Sequence, residues 1–236
     1  MKDIEKIRKA EKFSHTKAYT ENKLYEKGSW LSKSTKQLER VIELLNDYKS
    51  LNILDLGSGV GRNSIYIAKK LSNKNLNIDC VDILDIAIEK LNYYLEIYNI
   101  DSINGIVSSV EDYKIKPNKY DLILAIYILE HISSKKELLN KLDEIKNGIK
   151  NGGIIYIMVN TNIEEYSLLT KKSLEVQFEL NLKTNDFIKL LQKKFLGLEI
   201  VRININNQKF TTPREKETVE LHSSVVTFIA RKKESY

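Results

Sequence analysis

A chain of 236 residues, 42% hydrophobic and 30% charged, is long enough to bury the core of one full domain and has the composition of a soluble globular protein. Its longest apolar run, residues 122–129, is too short to span a membrane. The net charge is +6. Residues 1–40 hold eleven basic and six acidic side chains, a net of +5, so the other 196 residues carry only +1. The basic excess therefore lies on an N-terminal arm.

The basic arm and the cysteine content bear on the partners and the cellular location of the chain. Acidic residues interrupt the basic ones, so we expect a solvated helix face, although such an arm could also steer an anionic substrate or contact RNA. The single cysteine, Cys80, lies in an apolar run and has no second cysteine to pair with in this chain. Residues 1–13 are charged and lack the apolar centre of a signal peptide. We therefore expect a reducing, cytoplasmic location.

Residues 1–50 are predicted to form a helical cap in front of a sheet. Ser34 or Thr35 is expected to cap a helix that continues almost to the end of this segment. Tyr19 and Trp30 are candidates for a lid over a ligand, and the alternative is that Trp30 only anchors the packing.

A short apolar strand, a run of glycines and a helix follow over Asn52–Leu71. Asp55 lies near the end of the strand, and Gly57, Gly59 and Gly61 come next at alternate positions. Glycine is required where φ is positive and where the backbone must approach a ligand closely, and a helix N-terminus offers N–H groups without partners. A strand, glycine loop and helix in this order are typical of the ligand-binding opening of a doubly wound α/β sheet.

The spacing of the glycines distinguishes two kinds of ligand. A dinucleotide-binding loop has the pattern G-x-G-x-x-G, and the position of its third glycine is occupied here by Arg62. The pattern acid-x-G-x-G-x-G, which begins at Asp55, resembles motif I of the class I S-adenosylmethionine-dependent methyltransferases. In that family the loop wraps the amino-acid tail of the cofactor. The acid would repel the pyrophosphate of a dinucleotide. The resemblance implies that S-adenosylmethionine is bound by Asp55, Gly57, Ser58, Gly59, Gly61, Arg62 and Asn63.

A second strand is predicted over residues 76–81 and ends at Asp82, which lies 21 residues after Gly61. An acid at the end of the second strand can accept hydrogen bonds from both ribose hydroxyls of an adenosine. This segment resembles the second motif of the same family, which implies that Asp82 binds the ribose and that Ile83 contacts the cofactor. Asp85 is predicted to cap the next helix.

The segment 108–113 follows the third strand and resembles the adenine-contacting turn of the family. Ser109 occupies the position of the acid that usually holds the exocyclic amine, and a hydroxyl can still accept a hydrogen bond from that amine. Val110 and Glu111 are further cofactor contacts by the same resemblance, and Glu111 or Asp112 could replace the missing acid.

The fourth strand, residues 120–127, resembles the family segment whose C-terminal end faces the transferable methyl group, and it is followed by a Glu-His-Ile run at 130–132. The resemblance implies that Ile126 contacts the cofactor. Tyr127 and His131 become candidates for the reaction site because they follow the end of that strand.

The alternation of strand and helix over residues 51–159 is typical of an α/β fold. Residues 160–182 are predicted to form a loop or short helix on the substrate side. The polar segment 206–220 is predicted to be an exposed connection between two last strands. The resemblance implies a Rossmann-like, doubly wound, mostly parallel seven-stranded sheet with an antiparallel last strand, as a core over 51–236 behind the cap.

Two stretches narrow the resemblance to the small-molecule branch near the tellurite-resistance methyltransferases. These are GRNSIYIA after the glycine loop and Glu220-Leu221-His222 before the final strand, where Ser223 replaces the arginine of that branch. The candidate catalytic residues are therefore His131, His222 and Tyr127, and the candidate substrate or lid contacts are Tyr19, Trp30 and Glu220.

We accordingly predict that the chain moves a methyl group from S-adenosylmethionine to a small-molecule acceptor by in-line displacement, leaving S-adenosylhomocysteine. Positioning alone can supply about 7–11 kcal/mol of the barrier. A base is needed only if the nucleophile arrives protonated, so His131 is either a wall of the site or a base, and His222 is open to both interpretations. No metal is expected, because Cys80 stands alone and no histidine–carboxylate pairs show ligand spacing.

Two alternatives stay open at this point. An RNA methyltransferase could use the basic arm, and a non-catalytic, S-adenosylmethionine-binding regulatory protein could share the fold. A dehydrogenase is disfavoured by Asp55 and by the missing third glycine. The fourth strand lacks the Asn/Asp-Pro-Pro-aromatic motif of many amine methyltransferases, which argues against methylation of DNA or of protein glutamine.

Overall fold

The computed structural model describes residues 4–214 and 217–233, so residues 1–3 of the predicted cap, and 215–216 and 234–236 of the predicted core, lie outside the described residues. The helices are α1 (Ile4–Glu21), α2 (Leu38–Glu43), α3 (Arg62–Lys70), α4 (Asp85–Tyr98), α5 (Lys135–Gly148) and α6 (Thr184–Lys194). The strands are β1 (Ser50–Leu56), β2 (Asn75–Asp82), β3 (Ile103–Val107), β4 (Tyr120–Ile126), β5 (Ile149–Ser167), β6 (Ser173–Leu174), β7 (Glu199–Pro213) and β8 (Thr218–Arg231). Short 3-10 helices cover Trp30–Ser32 and Leu129–His131. In these ranges no helix combines the length and apolarity needed to cross a bilayer.

The strands form one sheet in the order β3-β2-β1-β4-β5-β8-β7, with β6 paired to β5. Strands β1 to β5 are parallel, and β8 is antiparallel to both β5 and β7. This confirms the predicted α/β, mostly parallel sheet with an antiparallel last strand. The strand order reverses at β1 and β4, and in such folds ligands bind in the crevice beyond the C-terminal ends of the strands at that point.

The core lies on both faces of the sheet. All residues of β4 are buried, because helices cover both faces of its central, parallel part. Leu122 and Leu124 join an apolar cluster with α3 and α4, whereas Ile123 and Ala125 join a second cluster with α5 and α6. The alternation along β4 therefore divides its apolar side chains between two helical layers. The strand is packed on both faces where its C-terminal end meets the crevice.

Two predicted helix caps are wrong. Helix α4 begins at Asp85, but its N-cap is Leu84, and the Leu84 N–H group donates to Asp82 Oδ1 at 3.0 Å. No side chain caps α4, and Asp82 instead holds the N–H group of the residue before the helix. Helix α2 covers only six residues and has no side-chain cap, so neither Ser34 nor Thr35 caps it.

The C-terminal half of the sheet is longer than predicted. The segment 206–220 was expected to be an exposed connection, but β7 continues to Pro213 and β8 starts at Thr218, which makes a long hairpin. Likewise, β5 continues to Ser167 and β6 follows it, so the described sheet has eight strands rather than seven. Paired apolar side chains support the extension: Phe210 lies opposite Leu221, which packs in a small apolar cluster. Pro213 ends its strand, where its missing N–H group is tolerated.

Candidate functional site

A cavity of about 1500 Å³ lies beyond the C-terminal ends of β1, β2 and β4 and extends over β5, β7 and β8. Sites for one small ligand usually measure about 300–1,000 Å³, so this cavity has room for two. Most of the predicted cofactor residues line it, namely Gly57, Ser58, Gly59, Arg62, Asn63, Asp82, Ile83, Ser109, Val110, Glu111 and Ile126. Tyr19, Trp30, Tyr127 and His131 line it as well.

The glycine loop and the end of β2 are joined by hydrogen bonds. The N–H groups of Gly57 and Ser58 donate to the Val81 carbonyl at 2.8 and 3.0 Å, and the Gly59 N–H group donates to Asp82 Oδ2 at 2.8 Å. Burial raises the pKa of Asp82, and the N–H groups of Leu84 and Gly59 act against that rise. Each carboxylate oxygen has a second lone pair, so Asp82 can hold the loop and still accept from a ligand hydroxyl.

Two predicted cofactor residues, Asp55 and Gly61, lie behind the loop and do not line the cavity. Asp55 is buried and accepts a hydrogen bond from the Ser64 hydroxyl at 2.7 Å. Burial raises the pKa of Asp55 to about 7, against the Ser64 hydrogen bond and the charge of Arg62. Gly61 has φ +78°, and a Cβ there would overlap Leu91 Cδ1. Both residues therefore support the glycine loop from the side that faces away from the cavity.

The turn after β3 is internally bonded. The Ser109 hydroxyl donates to Asp112 Oδ2 at 2.6 Å and accepts from the Asp112 N–H group at 3.1 Å. Glu111 accepts from the N–H and hydroxyl groups of Ser133 at 2.9 and 2.8 Å, and from Arg8 at 3.0 Å. Because Glu111 already ties the turn to Ser133 and to α1, it is poorly placed to replace the family's adenine-binding acid.

Helix α1 crosses the mouth of the cavity and brings aromatic side chains to the glycine loop. The rings of Tyr19 and Trp30 are 5.9 Å apart, and both lie within about 6 Å of the His15 ring. The Tyr19 hydroxyl lies so close to Gly59 that a Cβ there would be 2.7 Å from it. Arg62 lies over the Trp30 ring at 5.1 Å and donates to the Trp30 carbonyl at 2.7 Å.

A charged cluster of Glu11, His131, Glu179 and Arg214 lies beside this helix, and the sequence alone predicted only one of its members. Arg214 donates to Glu11 at 2.9 Å and to Glu165 at 2.8 Å. His131 Nδ1 is 3.1 Å from Glu179, and His131 Nε2 is 4.0 Å from Glu11. Among the residues that the structure describes, no group of three or more His, Cys, Asp or Glu is arranged to hold a metal ion.

The environment of His131 determines its charge. Its ring stacks on Phe178 with 5.0 Å between centroids. Burial opposes a charge on this ring, but the carboxylates of Glu11, Glu179 and Glu130 outweigh burial and raise the pKa of His131 to about 9. At neutral pH the ring is therefore an imidazolium that has no vacant nitrogen to accept a proton, so the structure favours a wall over a base.

The raised pKa of His131 predicts a loss of stability in mild alkali. The value of about 9 lies above the ordinary 6.5, so the contribution of the charged ring is complete below about pH 6.5 and is lost as the pH rises through 9. Urea unfolding measured from pH 7.5 to 9.5 should show a falling free energy of unfolding. Asp55, with a pKa of about 7, has largely finished titrating at the start of this range.

His131→Asn provides the control for that measurement. The variant should be less stable throughout, because it removes one of the cations around Glu11 and the buried Glu179, which keep Arg214 and Arg8. The variant's free energy of unfolding should fall less steeply than that of the wild type from pH 7.5 to 9.5. The fall that remains comes from the buried thiol of Cys80, whose pKa burial raises in both proteins. Equal slopes in the variant and the wild type would show that His131 is not the titrating group.

His222 and Glu220 are not brought to the cavity. The two side chains pair at 3.0 Å, and Lys209 reaches Glu220 at 2.9 Å. Side chains alternate along a strand, so His222 points to the face opposite its neighbour Leu221, which does line the cavity. The structure thus gives no support to the catalytic role predicted for His222 or to the substrate contact predicted for Glu220.

Tyr127 lies at the end of β4, between the glycine loop and β5. Its N–H group donates to the Met158 carbonyl at 2.8 Å, and its φ of +58° is strained for a bulky side chain. Burial, together with Glu130, raises the pKa of Tyr127 to about 12, against the charge of Arg62. The phenol is therefore neutral and can orient a ligand through a hydrogen bond.

Comparisons with known proteins agree with this geometry. A family model described as a methyltransferase domain matches residues 53–153. N-terminal Xaa-Pro-Lys N-methyltransferase 1 of Xenopus tropicalis is 28% identical over 55% of this chain and 57% of its own length. Release factor glutamine methyltransferase of Fusobacterium nucleatum is 37% identical over 47% of this chain and 30% of its own length. The chain thus spans little more than half of the first relative and less than a third of the second.

Solved structures share the fold more widely. TehB from Haemophilus influenzae superposes with a TM-score of 0.61 at 20% identity, over 83% of this chain and 62% of that chain. The Burkholderia thailandensis 1,6-didemethyltoxoflavin-N1-methyltransferase, with bound 1,6-didemethyltoxoflavin and S-adenosylhomocysteine, gives 0.60 at 14% identity, over 99% of this chain and 92% of that chain. At such identities the likeness establishes the fold.

Proposed function

We propose that this chain, whose residues 53–153 match a family model described as a methyltransferase domain, transfers a methyl group from S-adenosylmethionine to a small-molecule acceptor. The observation that carries the proposal is the bond between Asp82 and the Gly59 N–H group at the floor of a cavity large enough for two ligands. This bond joins a carboxylate, of the kind that can accept hydrogen bonds from ribose hydroxyls, to the glycine loop at the C-terminal ends of adjacent strands, which supports an adenosine ligand.

The residues at this floor support one orientation of the cofactor. Its adenosine would lie across the ends of β2 and β3, with the ribose on Asp82 and the adenine beside Ile83, whose side chain is half exposed and apolar. Its amino-acid tail would then point along the glycine loop towards Arg62. Tyr19 and Trp30 of the N-terminal segment would cover it, which gives residues 1–50 the role of a cap and lid on the core.

The chemistry that these residues support is positioning. The acceptor attacks the methyl carbon in line, the carbon–sulfur bond breaks, and the sulfonium becomes a neutral thioether, while any proton on the acceptor is released. His131 is already protonated and Tyr127 is neutral at neutral pH, so neither of these two candidates can take a proton from the acceptor. His15, which also lines the cavity, is paired with Glu11 at 3.1 Å. The acceptor should therefore be nucleophilic as it arrives, such as a thiolate, an unprotonated amine or a metalloid oxyanion.

A small acceptor agrees better with the placement of the basic arm than RNA does. Arg8 is paired with Glu111 at 3.0 Å and with Glu179 at 3.5 Å, so this residue of the arm faces the body of the protein. Ser14 hydrogen-bonds Thr212 at 3.1 Å and the Pro213 carbonyl at 2.8 Å, which joins α1 to the hairpin of β7 and β8. The arm thus closes the cavity over a ligand of limited size.

Binding and turnover can be tested in sequence. S-adenosylmethionine, S-adenosylhomocysteine and NAD should be titrated separately, with thermal shift and intrinsic fluorescence as readouts. Ligand at 100 times its Kd should add about 2.7 kcal/mol of stability. Trp30 is the only tryptophan, so a fluorescence change on binding reports directly on the proposed lid. Transfer of a radiolabelled methyl group to thiol, amine, phenol and metalloid acceptors, and to total RNA, then identifies the acceptor class.

Each outcome has a distinct meaning. No shift with either adenosyl ligand, or a larger shift with NAD, would overturn the proposal. Binding of the adenosyl ligands without transfer to any acceptor would instead support a regulatory protein on the same fold. Labelled RNA, with steeply salt-dependent binding, would support the RNA alternative.

A further inference from the structure

Strand β7 turns a polar face towards the cavity. Arg202, Asn204 and Asn206 alternate with Ile203 and Ile205, and these three polar residues line the cavity next to β8 and β5. Neighbouring residues on one face of an antiparallel strand are roughly 7 Å apart, so the three side chains cover roughly 14 Å. That length suits a small metabolite lying along the strand.

Gln208, the next residue on this face of β7 after Asn206, is held by hydrogen bonds within the protein. Gln208 donates to Asn160 Oδ1 at 2.6 Å, and the Ser223 hydroxyl donates to the same oxygen at 2.9 Å. The Asn160 amide in turn donates to the buried carboxylate of Glu130 at 2.8 Å. Among the described residues, by contrast, Asn204 and Asn206 show no side-chain hydrogen bond, so both amides are available to a ligand.

Arg202 differs from an ordinary solvated residue of an edge strand. It is only partly exposed, and its Nε atom is buried without a hydrogen-bond partner. No carboxylate of the described residues forms an ion pair with it, whereas Arg8 and Arg214, which also line the cavity, are both in ion pairs. A buried donor of a charged group without a partner is costly, which indicates that a ligand completes it.

Arg62 is the second guanidinium of the cavity whose buried Nε atom has no partner. Arg62, Arg202 and Tyr156 all line the cavity, and the charges of both guanidinium groups act against burial, which raises the pKa of the Tyr156 hydroxyl to about 12. S-adenosylmethionine carries one carboxylate, and Arg62 is next to the glycine loop that would hold it. Arg202 is therefore left for the other ligand.

We propose that Arg202 binds a carboxylate of the methyl acceptor, and that Asn204 and Asn206 hydrogen-bond its polar body. The substrate class is thus a small organic acid. This inference rests on the proposed function for the identity of the second ligand. A guanidinium can hold a carboxylate by two parallel hydrogen bonds, and amides both donate and accept, so the row fixes one end of the acceptor and orients the rest.

The test uses full-length protein with and without S-adenosylhomocysteine, and two probe acids with their amides: benzoate with benzamide, and 3-mercaptopropionate with 3-mercaptopropionamide. Binding is measured by ligand-observed NMR. Arg202→Gln removes the charge, Arg202→Lys keeps it, and Lys209→Gln removes a charge from the other face of the same strand, where Lys209 pairs with Glu220.

We expect the acids to bind the wild-type complex at least tenfold more tightly than their amides. Arg202→Gln should abolish that preference, Arg202→Lys should restore part of it, and Lys209→Gln should leave it unchanged. Affinity for S-adenosylhomocysteine should be the same in all four proteins.

Three results would overturn the inference: equal binding of acids and amides to the wild type, an unchanged preference in Arg202→Gln, or a loss of S-adenosylhomocysteine affinity in that variant. The last would assign Arg202 to the cofactor. Failure of the proposed function gives a different result, because the wild type would then not bind S-adenosylhomocysteine, while the preference for acids could still be measured without it.

Discussion

Asp82→Ala should weaken S-adenosylhomocysteine binding by roughly two to four orders of magnitude. The carboxylate would lose its hydrogen bonds to two ribose hydroxyls, each worth about 1.5–3 kcal/mol when one partner is charged, and tenfold in Kd corresponds to about 1.4 kcal/mol. The variant would also release the Gly59 N–H group, which now donates to Asp82 at 2.8 Å, so the glycine loop would lose an anchor. Calorimetric titration well below the melting temperature measures the affinity.

Two variants make that result specific. Asp85→Ala removes an exposed acid three residues further along and should leave the affinity unchanged. Asp82→Asn keeps one acceptor oxygen and should fall between the wild type and the alanine variant. An Asp82→Ala protein whose Kd stays within about threefold of the wild type would remove this residue from the site, and with it the main support for an adenosine ligand.

The parts of the site that the sequence predicted are those built from local chain geometry. The glycines at 57, 59 and 61 all adopt positive φ, and Asp82 lies at the end of β2 as its position predicts. The predicted α/β fold with a mostly parallel sheet is confirmed, and the strand β1, the glycine loop and the helix α3 could be predicted because they are contiguous in the chain. The cap predicted at Asp85 was wrong by one position, because the helix begins at Asp85 itself and its N-cap is Leu84, which has no capping side chain.

The other half of the site depends on contacts between distant segments. Glu11, His131, Glu179 and Arg214 come from four parts of the chain, and no spacing in the sequence links them. The structure gives no support to the role predicted for His222, for a related reason: once β8 extends towards Thr218, strand alternation decides which face each residue takes. Prediction of the hairpin as a loop therefore hid both the cavity wall and the face on which His222 lies.

Arg202 was missed because its pattern is ambiguous in sequence. Arginine and asparagine alternating with isoleucine predict a strand with one polar face, and on an edge strand that face usually meets water. Only the pairing of β7 with β8, at the end of the sheet over which the cavity extends, turns the polar face into a wall of the cavity.

Gly61→Ala should lower the free energy of unfolding by about 2–4 kcal/mol and the melting temperature by roughly 5–15 °C. Two costs combine. The residue has φ +78°, which an alanine adopts only with strain, and its Cβ would overlap Leu91 Cδ1 in the buried layer between α3 and α4. Gly61 therefore resembles the packing glycine of a dinucleotide loop in its function, although it lies one position earlier. Chemical unfolding of the variant and the wild type measures the difference.

Gly197→Ala separates the two costs. Gly197 also has a positive φ, +92°, but no atom lies within 4 Å of a Cβ placed there, so its variant should lose only the strain, about 1–2 kcal/mol. Combining Gly61→Ala with Leu91→Ala removes the overlapping atom, so the two losses should sum to clearly more than the loss in the double variant. If the two losses simply add, or if Gly61→Ala costs no more than Gly197→Ala, the overlap with Leu91 does not contribute to the loss of stability. The strain of the loop conformation alone would then explain the cost of Gly61→Ala.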